Sequence, residues 1–211
     1  IAYDEMLELA SLGAKVMQSR SVEFAKKFGV VFEVRSSLND NPGTIVKEET
    51  KSMEDVVIRG VSLDKNQAKV TLVAVPDKPG VAARIFKAVG DANVNVDMIV
   101  QNISHGSGSP ATDLSFTVDK PDLLKARKVI DDLKAEVGFR EVLTDEKIGK
   151  LSIVGVGMKS HTGVAGKMFD TLAKEGVNIG MISTSEIKIS VVIDLAKGGS
   201  AVKAVHAAFI G

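Results

Sequence analysis

The sequence has no cysteine and no tryptophan, a single tyrosine, and only 4% aromatic residues. Without cysteine there is no disulfide framework, no thiol nucleophile and no thiolate metal site. A reducing, cytoplasmic setting fits that composition. So few aromatic rings leave little on which nucleobases could stack. Neither sign of charge is in excess, with 27 Lys and Arg against 27 Asp and Glu. The basic surplus of an electrostatic nucleic-acid binder is therefore missing. No apolar run approaches the ~20 residues of a membrane-spanning helix. The opening Ile1-Ala2-Tyr3-Asp4-Glu5 has no initiator Met and neither the basic nor the apolar region of a signal peptide. It reads as a cut or boundary within a larger protein. What is present is a chain of 211 residues, 45% hydrophobic and 26% charged. That is ordinary for a globular protein, and long enough for one or two domains with cores of their own.

Residues 4–28 have helical spacing, with Met6, Leu9 and Leu12 on one stripe, a break at Gly13, and a second helix from Ser21 to Phe28 stopped by Gly29. Val30–Arg35 and Thr44–Val46 read as strands around an Asn39–Gly43 turn. The charged stretch 47–55 reads as a linker. Residues 1–46 are too few for a complete domain and look like the end of one.

Beyond the linker the chain repeats itself. Gly80-Val81-Ala82 returns as Gly163-Val164-Ala165, and Val94-Asn95 as Val177-Asn178, both 83 residues later. Eight of the twenty positions in 80–99 are identical at that offset, so one supersecondary unit occurs twice. In the first copy, strands at 69–75, 94–103, 113–118 and 139–143 alternate with helices at 80–92 and 122–137. That is the ferredoxin-like βαββαβ order. The second copy has strands at 151–156, 177–183 and 188–193 and helices at 163–175 and 200–209, and lacks its last strand. The run Val56–Val61 is unclaimed. The expected fold class is α+β, with two ferredoxin-like βαββαβ domains built on antiparallel sheets. The first copy (65–147) is inserted into the second (56–64 with 148–211), whose sheet the early strand completes, since an open edge would otherwise be exposed.

The turn into the first helix carries the most chemistry. Asp77 is a candidate N-cap, Pro79 sits before or at the first helical position, and Gly80 removes a Cβ where a ligand could approach. The N–H groups of Gly80, Val81 and Ala82, at the positive end of the helix dipole, suit a carboxylate. Asn95, Asp97 and Gln101 on the next strand can accept from an ammonium group. The pattern fits either a free α-amino-acid site or an ordinary capped turn. Asp97 corresponds to Gly180 in the second copy, so two sites would differ in affinity or ligand. Gly155–Ser160 looks like a nucleotide loop but has Ser160 where a dinucleotide loop needs Gly, and no G-x-x-x-x-G-K-[ST] occurs anywhere. His105–Pro110 reads as a hairpin loop. The three His are scattered, which argues against a metal site, and no Ser/His/Asp set suggests catalysis.

Lys78-Pro79-Gly80, the run Val94–Asn102 and Ile182–Ile187 resemble the tandem ACT domains of bacterial aspartate kinase. The opening Asp4–Val16 resembles the closing helices of that family's amino-acid kinase domain, and Arg35-Ser36-Ser37 with Asn41–Thr44 resembles its end. The resemblance covers essentially the whole chain. It implies a regulatory region of an enzyme that phosphorylates the β-carboxylate of aspartate with ATP and Mg, held in check by end-product lysine and/or threonine. By the same resemblance the effector contacts fall on Asp77, Lys78, Pro79, Gly80, Val81, Ala82, Asn95, Val96, Asp97 and Gln101. In the second copy they fall on Val164, Ala165, Asn178, Ile179, Ser185 and Glu186. Lys15 and Val16 match late nucleotide-contacting positions.

The implied partners are a second copy joined through the ACT domains, or a catalytic subunit carrying the kinase domain; no nucleic acid and no membrane is implied. Some members make the regulatory part as a separate small subunit, and Met53 stands where one would start. The kinase's K-F-G-G-type opening is absent, so the chain alone is expected to be inactive, with no cofactor of its own. Thr162 replaces a common Pro. The alternatives are a free-standing ACT-type regulator without a kinase partner and an RNA-binding ferredoxin-like module. The second requires exposed aromatics on the sheet, where only Phe116 is on offer.

Overall fold

The computed structural model describes residues 1–14, 16–104 and 111–211. Lys15 and the His105–Pro110 loop lie outside the described residues. The chain divides into two compact units, one of residues 1–65 and 149–211 and one of residues 66–148.

The unit 66–148 runs β4 (Gln67–Pro76), α3 (Val81–Asp91), β5 (Val96–Ser104), β6 (Ala111–Asp119), α4 (Leu123–Val137) and β7 (Glu141–Asp145). Its antiparallel sheet has the order β5-β6-β4-β7. The helices follow from their apolar spacing. Ile85 and Val89 of α3, and Ala126 and Ile130 of α4, are four residues apart, lie on one face of each helix and are buried. They meet Val70, Leu72, Leu114 and Phe116 from alternate positions of β4 and β6. Helix α4 stops at Gly138, whose φ of 84° is left-handed.

In the other unit, β8 (Ile148–Val154), α5 (Val164–Lys174), β9 (Ile179–Thr184), β10 (Lys188–Asp194) and α6 (Gly198–Phe209) follow the same order. Val164, Met168 and Leu172 of α5 and Ala201 and Val205 of α6 pack on Leu151, Ile153, Val191 and Ile193. The sheet order is β3-β8-β10-β9, with β3 (Gly60–Asp64) paired antiparallel to β8 from Gly60↔Val154 to Asp64↔Lys150. The early strand thus occupies the position of the missing fourth strand. It begins later than the apolar run Val56–Val61 suggests. Val57 and Ile58 serve as core plugs against α5 and α6 rather than ladder residues.

The repeat extends to the helix ends. Asn93 (φ 53°) and Gly176 (φ 63°) both follow their helices in the left-handed region. In each case the next two N–H groups bond back: Asn93 to Gly90 and Val94 to Val89, Gly176 to Ala173 and Val177 to Leu172. This is the Schellman closure, which satisfies the last helical carbonyls.

Residues 1–46 form α1 (Tyr3–Ser11), α2 (Ser19–Lys27) and a hairpin of β1 (Phe32–Val34) and β2 (Thr44–Val46). Their small core holds Tyr3, Met6, Val22 and Val46. The stretch 47–55 is more than a linker: Lys51–Met53 makes one 3-10 turn, and Met53 is buried with Ala2 and Val156. The carboxylate of Glu5, 0% exposed, accepts the Ala2 N–H and the Val156 N–H, both at 2.9 Å. Ser62 donates to the Leu12 carbonyl, and Lys188 pairs with Glu8 at 3.0 Å.

Gly155 and Gly157 are explained by this packing, not by phosphate binding. A Cβ on Gly155 would lie 2.1 Å from the Val57 carbonyl, and one on Gly157 would lie 2.6 Å from the carbonyls of Glu54 and Val56. Only glycine lets the backbones approach so closely.

Candidate functional site

In the unit 66–148 the start of α3 opens onto a pocket of ≈ 330 Å³. The Asp77–Ala82 turn and Gln101 line it, together with Val75, Pro76, Thr112 and Leu114. Topology explains the meeting. β4 runs toward the start of α3, α3 leads back, β5 runs parallel to β4 and ends near the same place, and β6, between the two strands, begins there. Asp77 to Gly80 are exposed and Val81 is half-buried. The pocket is thus an apolar floor with a polar rim, the usual form of a small-molecule site, although the Val81 N–H already turns back to the Lys78 carbonyl at 3.3 Å.

The cap differs from expectation. Gly80, not Asp77, is the N-cap of α3, with φ 89° and no side-chain cap bond. Pro79 therefore lies two residues before the helix. The backbone arrives through a left-handed residue, which only glycine adopts without strain. Gly163 does the same before α5, with φ 82°. A Cβ on Gly80 would meet nothing within 4 Å, so the demand is conformational. Gly80→Ala is accordingly expected to lose about 1–2 kcal/mol, read as a lowered denaturation midpoint with no repacking of the core.

Asn95, Val96 and Asp97 do not line this pocket. They precede or begin β5, four or more residues from Gln101. At about 3.3 Å per residue, Asp97 and Gln101 are about 13 Å apart along the strand. One small amino acid seated at the start of α3 does not reach both. The predicted residues therefore fall into two groups, one at the start of β5 and one past its middle with the Asp77–Ala82 turn. The sequence missed Thr112 and Leu114, because their place depends on the register of β6 with both β4 and β5.

The second copy is arranged differently. A pocket of ≈ 420 Å³ is lined by Asp55, Val56, Val57, His161, Thr162, Gly163, Val164, Lys167 and Phe209. It lies between the start of α5, the end of α6 and residues 55–57. Of the residues predicted there only Val164 lines it, and Val164 is mostly core, 8% exposed. Ala165 and Ile179 pack against that core. Asn178, Ser185 and Glu186 are exposed, Asn178 before β9 and the other two after it. Lys167 lies 4.6 Å from the Phe209 ring centroid, a cation–π contact. In the turn before α5, Lys159 is hydrogen-bonded to the Glu49 carboxylate at 2.9 Å, which holds its ammonium above the usual lysine range. That shift acts only at alkaline pH: the contact is intact below the normal lysine value and is lost as pH rises through the raised one.

Val16 borders an open groove of ≈ 610 Å³ with Ala10, Met17, Gln18, Ser19 and Ser21. Its donors are hydroxyls and one amide. They suit a base or ribose and not a magnesium ion, which takes carboxylates and phosphate oxygens. Among the described residues no group of three or more His, Asp or Glu could hold a metal ion, and no helix is long and apolar enough to cross a membrane. Phe116 is 0% exposed, which removes the one aromatic that an RNA-binding sheet could have used.

A family model described as ACT domain matches residues 70–133 and 151–209. The chain is 50% identical over 210 residues to an aspartate kinase of Pseudomonas fluorescens, covering 99% of this chain and 50% of that protein. It therefore spans about half the length of such full-length relatives. A structure of aspartokinase α and β subunits is 47% identical over 72% of this chain and 98% of its own, with TM-score 0.67. The regulatory subunit of aspartate kinase from Thermus thermophilus is 39% identical over 72% of this chain and 99% of its own, with TM-score 0.68. With two ACT matches, and regulatory chains spanned almost end to end, this chain belongs to the ACT domain family as a regulatory region of the aspartate kinase type.

Proposed function

We propose that the chain senses end-product amino acids, lysine and/or threonine, and restrains an aspartate kinase to which it belongs or binds. The observation that carries this reading is the pocket at the start of α3, where backbone N–H groups, Gln101 and Thr112 converge over Val75 and Leu114. The carboxylate of the effector sits at the helix start, where the dipole favours it. Its ammonium and side chain face the carbonyl and hydroxyl acceptors of Gln101 and Thr112. Millimolar sensing needs only about 4 kcal/mol, which a few such bonds supply. Asn95 and Asp97, before and near the start of β5, are proposed on the resemblance to meet a ligand completed by a second ACT copy, in keeping with a homodimer through these domains. The second-copy contacts at Val164, Ala165, Asn178, Ile179, Ser185 and Glu186 are proposed on the resemblance alone.

In the whole enzyme, ATP phosphorylates aspartate in the kinase domain, in the cytoplasm; Lys15 and Val16 border its nucleotide. No step of that chemistry is assigned to residues of this chain. Within the unit that holds α1 and the second ACT copy, an effector-dependent shift has a route to residues 1–46. Glu5 holds Val156, Lys159 holds Glu49, and Met53 is buried against both segments. A coupling of about 1–3 kcal/mol is typical.

Calorimetric titration of the chain with lysine, threonine and the pair tests the reading, and binding of neither amino acid rejects it. Gln101→Ala is expected to weaken binding about fivefold, the worth of one hydrogen bond near 1 kcal/mol. An unchanged affinity would remove Gln101 from the site.

A further inference from the structure

We propose that Asp113 is a positioning residue for the binding turn: its carboxylate holds a bulge in β4 that brings Val75, Pro76 and the turn beyond them into the pocket. The inference rests on the reading of that pocket as an amino-acid site.

The register shows the bulge directly. β4 and β6 pair from Gln67↔Asp119 to Leu72↔Leu114, then shift and resume at Val75↔Thr112. Val73 and Ala74 thus stand opposite the single residue Asp113. Val70 and Leu72 face the core before the bulge, and Val75, 2% exposed, faces it afterwards. An unbulged strand would turn Val75 to the opposite face of the sheet, because side chains alternate. Pro76 and the turn would move with it.

The extra residue is accommodated at a conformational cost. Ala74 has φ 56°, in the left-handed region that a residue with a Cβ avoids. One hydrogen bond offsets this: the Ala74 N–H donates to Asp113 Oδ1 at 2.9 Å. Asp113 itself does not line the pocket, whereas its neighbours Thr112 and Leu114 do. Its side chain works on the far face of the sheet while theirs form the floor. Thr112 Oγ in turn donates to the Asn102 carbonyl at 2.6 Å, tying the same end of β6 to the strand that carries Gln101. A single carboxylate thus sits behind the junction of three strands that shape the site.

The test follows the amide resonances of Gly80, Val81 and Ala82 in the full chain while lysine or threonine is added, which reads this pocket alone. Asp113→Ala is expected to weaken binding about tenfold, the loss of one charge-assisted hydrogen bond. Asp113→Asn keeps an acceptor and is expected within about twofold of wild type. Ala74→Gly in the Asp113→Ala background is expected to recover binding to within about threefold, since glycine adopts the left-handed region without a Cβ penalty. Asp113→Ala with lowered melting temperature but wild-type affinity overturns the inference. So does a double variant that recovers nothing. A wild-type chain whose three amides respond to neither amino acid overturns the reading of the pocket, and this inference with it.

Discussion

Phe116→Ala is expected to destabilise the unit 66–148 by about 3–5 kcal/mol. Phe116 is 0% exposed and lies at the centre of the core shared by β4, β6, α3 and α4. Its ring meets Phe86 edge-on, 5.5 Å between centroids at 73°, an arrangement that adds about 0.5–1.5 kcal/mol to simple burial. Truncation removes that contact and leaves a cavity that the sheet cannot close, because the strands are fixed by their ladders. The effect should be confined. Hydrogen exchange of peptides from β4 and β6 is expected to accelerate, while peptides from β8 and β10 keep their protection. The amino-acid response of Gly80–Ala82 should fall with it, since the pocket floor is Leu114, two residues from Phe116. Unchanged protection in β6 would show that this core is not what holds the pocket in shape.

Glu5→Ala is expected to cost the other unit about 2–6 kcal/mol, because it strands two buried N–H donors at about 1–3 kcal/mol each. One oxygen of Glu5 closes the start of α1 through Ala2, and the other receives Val156 just after β8. The side chain is therefore both a helix cap and the tie between residues 1–46 and the second ACT sheet. Glu5→Gln keeps one acceptor and presents an NH₂ group to the other donor, so a smaller loss is expected. The readouts are the denaturation midpoint and exchange at residues 3–11 and 156–159. If the midpoint of Glu5→Ala matched wild type, the two N–H groups would have found other partners, and the tie would have no role in stability.

Much of the architecture is legible along the chain because it depends on local periodicity. The 83-residue repeat, the recurring Gly-Val-Ala before α3 and α5, and the apolar stripes of the helices are all written in the sequence itself. Errors fall where the signal is not local. Val56-Val57-Ile58 looks like a strand because it is β-branched, yet Val57 and Ile58 are core plugs, and the ladder with β8 begins at Gly60. Gly155-Val156-Gly157 already fails as a phosphate loop in the sequence, but the reason for its glycines was not legible there: they answer to carbonyls of residues 54–57, about a hundred positions away. Asp77 looks like a helix cap, but the chain enters α3 through Gly80.

The site divides the same way. The Asp77–Ala82 turn could be found from its residue types, since turn chemistry is set by neighbours. Thr112, Leu114 and the bulge at Ala74 could not, because they depend on which residue of β6 stands opposite which residue of β4. Nor could the separation of Asn95 and Asp97, before and near the start of β5, from Gln101, past its middle. By itself the sequence determined two copies of one βαββαβ unit and a regulatory family, and it marked the turn before α3 as a candidate binding turn. The tertiary structure alone decided the partners across the sheet, and so which of the candidate side chains share a pocket. Strand register and backbone contacts between distant segments arise from packing the whole chain, and no window of neighbouring residues encodes them.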